Sequence, residues 1–353
     1  MINNYIPLLC SNIIIKNLKV KSLIRSNPII SYLIITFLIT WSFWFTPMII
    51  SLPKDINLGI ILIGGFGPAI SAFILLHICS ATKIKIELKS LFWLFSFIAI
   101  LVIGIASVFV KMGNSNTWDR NLWNGLDELS ILGVILLLAS CFFWGLMMSN
   151  SKNIGLRENY LKSFLFDKTK IKWYVLAILF IPVIYMLSFA LGKLFDLEST
   201  RPFFTPDAFF FLAFLLTFFF TGAPEEFGWR GFLQKELQKK YNPLITALII
   251  GLVWGLWHLP LHYNGLYPED FTFLSRFAVQ FQGAFLFLWF YNKSGYSILT
   301  VMLLHASSNN FYRIFGDSYM PALVLGIILV IVVIFESKMW QRKNYHTKFY
   351  PAK

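Results

Sequence analysis

Long apolar runs separated by short, polar and often basic connectors dominate this chain. A helix needs about 20 predominantly apolar residues to cross a bilayer. Such runs recur near 29–51, 58–79, 90–110, 130–148, 173–192, 207–222, 243–260, 274–291, 296–312 and 319–336. The pattern predicts an all-α polytopic transmembrane bundle of eight to ten spans, the short runs at 207–222 and 296–312 setting the range. Pro182 and the stretch Gly64-Gly65-Phe66-Gly67-Pro68 fall inside spans, where they read as a kink and a place of close helix packing. Residues 1–28 set Lys16, Lys19, Lys21 and Arg25 among isoleucines and leucines, as in an interfacial helix. With no small-residue cleavage site, they do not read as a signal peptide. The chain divides into this extension, N-terminal spans over 29–155, a core over 156–315, and a last span with a basic tail over 316–353.

Composition sharpens the class. Of 353 residues 57% are hydrophobic and 13% charged, and the mean hydropathy is +0.68. Soluble domains carry about 25% charged residues, so a multi-pass protein of the cell membrane is expected. The net charge of +13 does not imply nucleic acid, because the basic residues are parcelled between spans rather than gathered in one patch. With a cytoplasmic N-terminus and ten spans, the inner segments hold 23 Lys and Arg and the outer ones 6, with Arg276 inside a span. That bias predicts cytoplasmic N- and C-termini. Cys10, Cys79 and Cys141 are odd in number and widely spaced, which reads as packing rather than a disulfide or metal framework.

The candidate chemistry lies in 221–262, which holds two adjacent carboxylates, an arginine and two of the five histidines. Pro224 is expected to open a helix, with Glu225 and Glu226 in a first turn favoured by the helix dipole. Glu226 and Arg230, four apart, share a face and can pair. Asn242-Pro243 is expected to break the helix. Glu225 lies 17 residues before Asn242 and His258 lies 16 after it. An antiparallel hairpin would therefore put both at one height, about 25 Å from the turn. His305 and Asn309 share a face of the ninth run, with small residues between them that let another helix or a substrate backbone approach. Each has a structural alternative: a charged helix cap, an interfacial histidine, an interhelical hydrogen-bond pair. Ionisable groups within a membrane are nevertheless expensive and mark functional sites. A carboxylate beside an arginine-paired neighbour suits a general base, and a His/Asn donor pair suits a developing oxyanion. His262 and His77 are expected at the surface and the interface, while Arg276, Gln280 and Gln282 could line a wet cavity or bind lipid headgroups. No H-E-x-x-H, G-x-S-x-G or G-x-x-x-x-G-K-[ST] occurs, which argues against zincin, serine-hydrolase and P-loop chemistry.

Glu225-Glu226-x-x-x-Arg230, then Trp254-x-x-x-His258, then His305-x-x-x-Asn309 resembles the CPBP family of CAAX proteases and bacteriocin-processing proteins, also called Abi. The likeness covers roughly 160–315. Trp254 stands where the family more often has Phe, read here as a conservative change in an aromatic packing role. The resemblance implies an intramembrane endopeptidase. Glu225 and His258 would activate water, His305 and Asn309 would hold the oxyanion, and Glu226 and Arg230 would be structural partners. It requires no cofactor, although the family is often labelled metallo- and Glu225, His258 and His305 could hold zinc. A glutamate-activated water needs no metal, and that mechanism is the one expected.

The expected partners are the bilayer and a peptide or membrane-protein substrate, with no nucleic acid. The Ile/Asn/Lys-rich composition favours a leader peptide, peptide pheromone or bacteriocin precursor over a prenylated tail. A non-catalytic membrane protein for bacteriocin immunity or partner regulation is the alternative. A transporter is a further rival, disfavoured because no pair of matching halves with discontinuous helices is visible.

Overall fold

The computed structural model describes residues 20–52, 54–80, 141–142, 145–146, 163–199, 202–205, 210–263, 272–316 and 318–342. These residues form a helical bundle: α1 (Pro28–Trp44), α2 (Lys54–Gly65), α3 (Gly67–Ser80), α4 (Ile171–Leu194), a continuous helical run α5 (210–238), α6 (Pro243–Trp257), α7 (Phe273–Lys293), α8 (Ile298–Asn310) and α9 (Tyr319–Glu336). Among the described residues the only strand-like pairing is an isolated antiparallel bridge between Phe204 and Phe315. Among the described residues five helices are long and apolar enough to cross a membrane: Pro28–Ile49, Lys168–Leu194, Pro243–Tyr263, Phe273–Lys293 and Tyr319–Glu336. The pair Gly59–Gly65 and Gly67–Cys79, bent by 41°, adds a sixth if it is one span. The chain is thus a multi-pass membrane protein. The runs near 90–110 and 130–148 and most of the 1–28 extension lie almost wholly outside the described residues.

The bend between α2 and α3 shows why a helix can break inside a membrane. Carbonyls freed by a break need partners where water is absent. Thr40 of α1 donates its hydroxyl to the Gly64 carbonyl at 2.9 Å, and the Trp44 indole N–H donates to the Ile61 carbonyl at 2.8 Å. His77, expected at an interface, is instead buried in α3, with Nδ1 2.8 Å from the Phe73 carbonyl.

The short runs at 207–222 and 296–312 behave differently from the rest. The first continues without a break through Pro224, so Glu225 and Glu226 sit mid-helix and not in a first turn. A π-helical turn at Phe218–Gly222 immediately precedes the proline, and the wider coil absorbs a residue that can neither donate its N–H nor clear the preceding carbonyl. A second π turn follows at Trp229–Gln234. Every residue from 222 to 235 is buried, which makes α5 the pillar of the bundle. It approaches its neighbours through glycines: a Cβ on Gly222 would lie 3.2 Å from the His305 Cβ, and one on Gly228 would collide with Pro68 and the Tyr32 hydroxyl. The turn after α5 forms at Asn242-Pro243 as expected, the Asn242 side chain capping α6 by accepting the Ile245 N–H at 2.9 Å. The α8 helix, only 13 residues long, is capped by Ser297 and held to α4 where the Ser307 hydroxyl donates to the Ile178 carbonyl at 2.9 Å. Small residues at 306–308 thus permit close approach by a helix, as expected.

Candidate active site

The two buried elements meet at the carboxylate pair. Glu226 and Arg230 are each 0% exposed. Arg230 Nη1 donates to Glu226 Oε1 at 3.1 Å, and the same oxygen lies 2.9 Å from Nδ1 of His305. A buried ion pair is tolerable only when its charges are closely compensated. Here the guanidinium is also sandwiched by rings, with Cζ 4.8 Å from the Trp254 centroid and 4.6 Å from that of Phe287. Glu226 therefore does more than pair with Arg230: its carboxylate fixes the orientation of His305. With Nδ1–H directed at Glu226, Nε2 turns toward Glu225, 3.8 Å from its Oε1.

Glu225 is held from its other side. Its Oε2 accepts the Trp254 indole N–H at 2.8 Å. The level match between α5 and α6 thus brings Trp254 onto Glu225, one helical turn before His258. This corrects the reading of Trp254 as a packing residue alone: an indole N–H is a donor that phenylalanine lacks, so the substitution itself was the available signal. Phe287, which meets His305 at 5.7 Å between centroids, carried no such signal among 38 phenylalanines.

His258 caps α6, with Nδ1 2.8 Å from the Trp254 carbonyl. Its ring sits among Trp44, Trp254 and Trp257 at 6.0, 6.0 and 4.6 Å between centroids. With Nδ1–H on the carbonyl, Nε2 is left for a water or substrate. The close partner of Glu225 is His305, not His258. Asn309 lies one turn beyond His305 on α8, half-buried, with the Ser308 hydroxyl 3.4 Å from its Oδ1. His262, expected at the surface, is half-buried against Phe273, 5.4 Å between centroids.

Zinc was a candidate occupant. A zinc site needs at least three donors converging on one point at about 2.0–2.2 Å. Among the described residues no three His, Cys, Asp or Glu side chains are gathered in that way. Glu225 and His305 face each other, but His258 does not complete the set, so this arrangement does not fit zinc. What it does offer is a buried carboxylate beside an oriented imidazole, with the buried His258 ring against the same Trp254. Such a constellation can take a proton from water and return it.

Two comparisons with known proteins bear on the family that the motifs resemble. Residues 207–311, which include Glu225, Glu226, Arg230, Trp254, His258, His305 and Asn309, match the family model described as type II CAAX prenyl endopeptidase Rce1-like. The chain is also 23% identical over 225 residues to "CAAX prenyl protease 2" of Methanococcus maripaludis, covering 59% of this chain and 82% of that protein. Residues 207–311 are thus similar to the Rce1-like family of CAAX prenyl endopeptidases, the likeness that the motifs carry.

Proposed function

We propose that the chain hydrolyses peptide bonds of membrane-associated peptides or proteins inside the bilayer, with Glu225 as the base that activates water. The observation that carries this reading is the buried pair of Glu225 and His305, 3.8 Å apart between Oε1 and Nε2, each held from behind by a fixed partner. Pre-set groups of this kind stabilise charge that develops only in the transition state. In the forward step, water gives a proton to the Glu225 carboxylate as its oxygen bonds to the scissile carbonyl carbon. The carbonyl electron pair moves onto oxygen, where His305 Nε2–H and the Asn309 amide donate to it. That role uses His305 with a proton on both nitrogens, because Nδ1–H already serves Glu226. Collapse of the tetrahedral intermediate breaks the C–N bond, and Glu225 passes its proton to the leaving amine. His258, fixed through Nδ1, offers Nε2 to the attacking water.

The test is cleavage by the purified full-length protein in detergent. The panel combines mixed peptides, leader- and bacteriocin-type precursors, and a prenylated CAAX peptide, the class to which the Methanococcus relative's name points. Wild type runs beside Glu225→Ala and His258→Ala, with and without a zinc chelator. Cleavage abolished by Glu225→Ala and indifferent to chelator is the expected result. Cleavage that survives Glu225→Ala would overturn the base assignment, and chelator sensitivity would overturn the metal-free step. Specific binding of a partner protein without hydrolysis would favour the non-catalytic immunity or regulatory role.

A further inference from the structure

The α7 helix has three faces, and two are committed to neighbours. Phe277 and Phe281 lie against Gly255 and Gly251 of α6. Gln282 turns to α9, where its Nε2 is 3.4 Å from the Leu323 carbonyl and its amide crowds Gly326. The third face carries Arg276, Gln280, Gly283 and Phe287, spaced so that they stack along one side of a helix. Phe287, at one end, packs on His305 and Arg230. A Cβ on Gly283 would lie 3.4 Å from the Trp254 ring. Arg276 stands at the other end of the stripe. Gln280 therefore stands on a stripe that leads away from the candidate active site.

Gln280 is 5% exposed, yet among the described residues neither its Oε1 nor its Nε2 has a hydrogen-bond partner. A buried amide with no partner is costly, because its polar atoms have given up water and gained nothing in return. A side-chain amide presents one acceptor beside one donor, the complement of a peptide unit. From Gln280 to Phe287 is about 10 Å along the helix, or about three residues of extended chain. The intervening Gly283 is half-buried and carries no side chain, with the Trp254 ring against it.

We propose that Gln280 is a substrate-binding residue that pairs with the main chain of an extended peptide about three residues from the scissile bond. This rests on the endopeptidase reading of Glu225 and His305. Main-chain pairing would select extended conformation over side-chain identity, so the substrate class is an unfolded segment, not a folded domain.

The experiment uses full-length protein in detergent and an internally quenched peptide that wild type cleaves, with a series in which each main-chain amide in turn becomes an ester. For wild type, one ester two to four residues from the cleavage point should cost about tenfold in kcat/KM, the worth of one good hydrogen bond. Gln280→Leu should raise KM about tenfold with kcat nearly unchanged, and should pay no further penalty for that ester. A wild type that tolerates every ester would overturn the proposal without any variant. The same would follow from an ester penalty that is unchanged in Gln280→Leu or, should that variant misfold, in Gln280→Met. Binding of a fluorescein-labelled mixed peptide library separates this from failure of the endopeptidase reading. Weaker binding by Glu225→Gln/Gln280→Leu than by Glu225→Gln supports the anchor even where no peptide is cleaved, and equal or absent binding in both overturns it.

Discussion

Two pairs of helices in this protein solve opposite problems. The outer pair, α4 and α9, belong to spans of mean hydropathy 2.5 that are only 22% and 11% buried. Leu179, Val183 and Ile327 point away from the bundle, each about half exposed, as lipid-facing side chains do. The inner pair, α5 and α8, are not among those spans: α8 has only 13 residues, and α5 is long but holds Glu225, Glu226 and Arg230, which face His305 of α8. The lesson is that helices shielded by other helices need not be greasy. Their polar groups compensate one another, and the surrounding spans supply the barrier to water. The candidate site lies where the membrane signal is weakest.

Breaking the inner pair should have the largest effect. Glu225→Gln removes the proposed base while keeping size and hydrogen-bonding capacity, and turnover in the cleavage assay should fall by about 10²–10⁴-fold with thermal stability in detergent nearly unchanged. Glu226→Ala should hurt both properties, because it strands the Arg230 guanidinium and frees His305. Removing one partner of a buried pair costs about 3–5 kcal/mol, so thermal unfolding should shift clearly downward and cleavage should fall with it. A Glu226→Ala protein as stable as wild type would show that the pair contributes only through catalysis. Trp254→Phe keeps the ring over Arg230 but deletes the indole donor to Glu225. A hydrogen bond to a charged group is worth about 1.5–3 kcal/mol, so a loss of about tenfold or more in kcat is expected, and no loss would return Trp254 to a packing role.

The outer pair should absorb change. Ile327→Ala and Leu179→Ala should leave stability within about 0.5 kcal/mol of wild type, measured by thermal unfolding in detergent. A large loss at either position would mean that this face meets protein rather than lipid. The smallest effect is expected at Asp167, just before the span that contains α4. Its carboxyl is held below the usual carboxylate range by hydrogen bonds from the Thr169 hydroxyl and backbone N–H. A lowered carboxylate pKa stabilises the fold above the unfolded-state value and loses that contribution as pH falls through the folded one. Asp167→Asn should therefore lower the unfolding temperature slightly at neutral pH and not at all in strong acid.

Much of this was legible in the chain. The long apolar runs foretold the helices at Pro28–Ile49 and Lys168–Leu194 because hydropathy alone places a span. Spacing foretold the Glu226–Arg230 pair because a helix repeats every 3.6 residues. Spacing failed where the helix did not keep that period. Pro224 read as a start because a proline interior to an ordinary α-helix is costly, and nothing local announces that a π turn will accommodate it. The partner of Glu225 was missed for a related reason. Height along a hairpin is readable from residue counts, but the direction in which a side chain leans is not. Trp254, one turn nearer the hairpin's turn than His258, is the residue whose side chain meets Glu225.

The two π turns that flank Glu225 and Glu226 also act as phase shifters. Each successive residue of an α-helix turns the side-chain azimuth by about 100°, and a wider turn takes up residues without that full rotation. The carboxylates thus sit between two adjustments of angular register, one upstream and one downstream. Winding 218–222 as ordinary α-helix with the same number of residues would not lengthen the bundle noticeably. It would re-clock everything after it, swinging Glu225 off Trp254 and Glu226 off His305 together. The helix behaves like a key whose cuts align only at one rotation, and the π turns are what set that rotation.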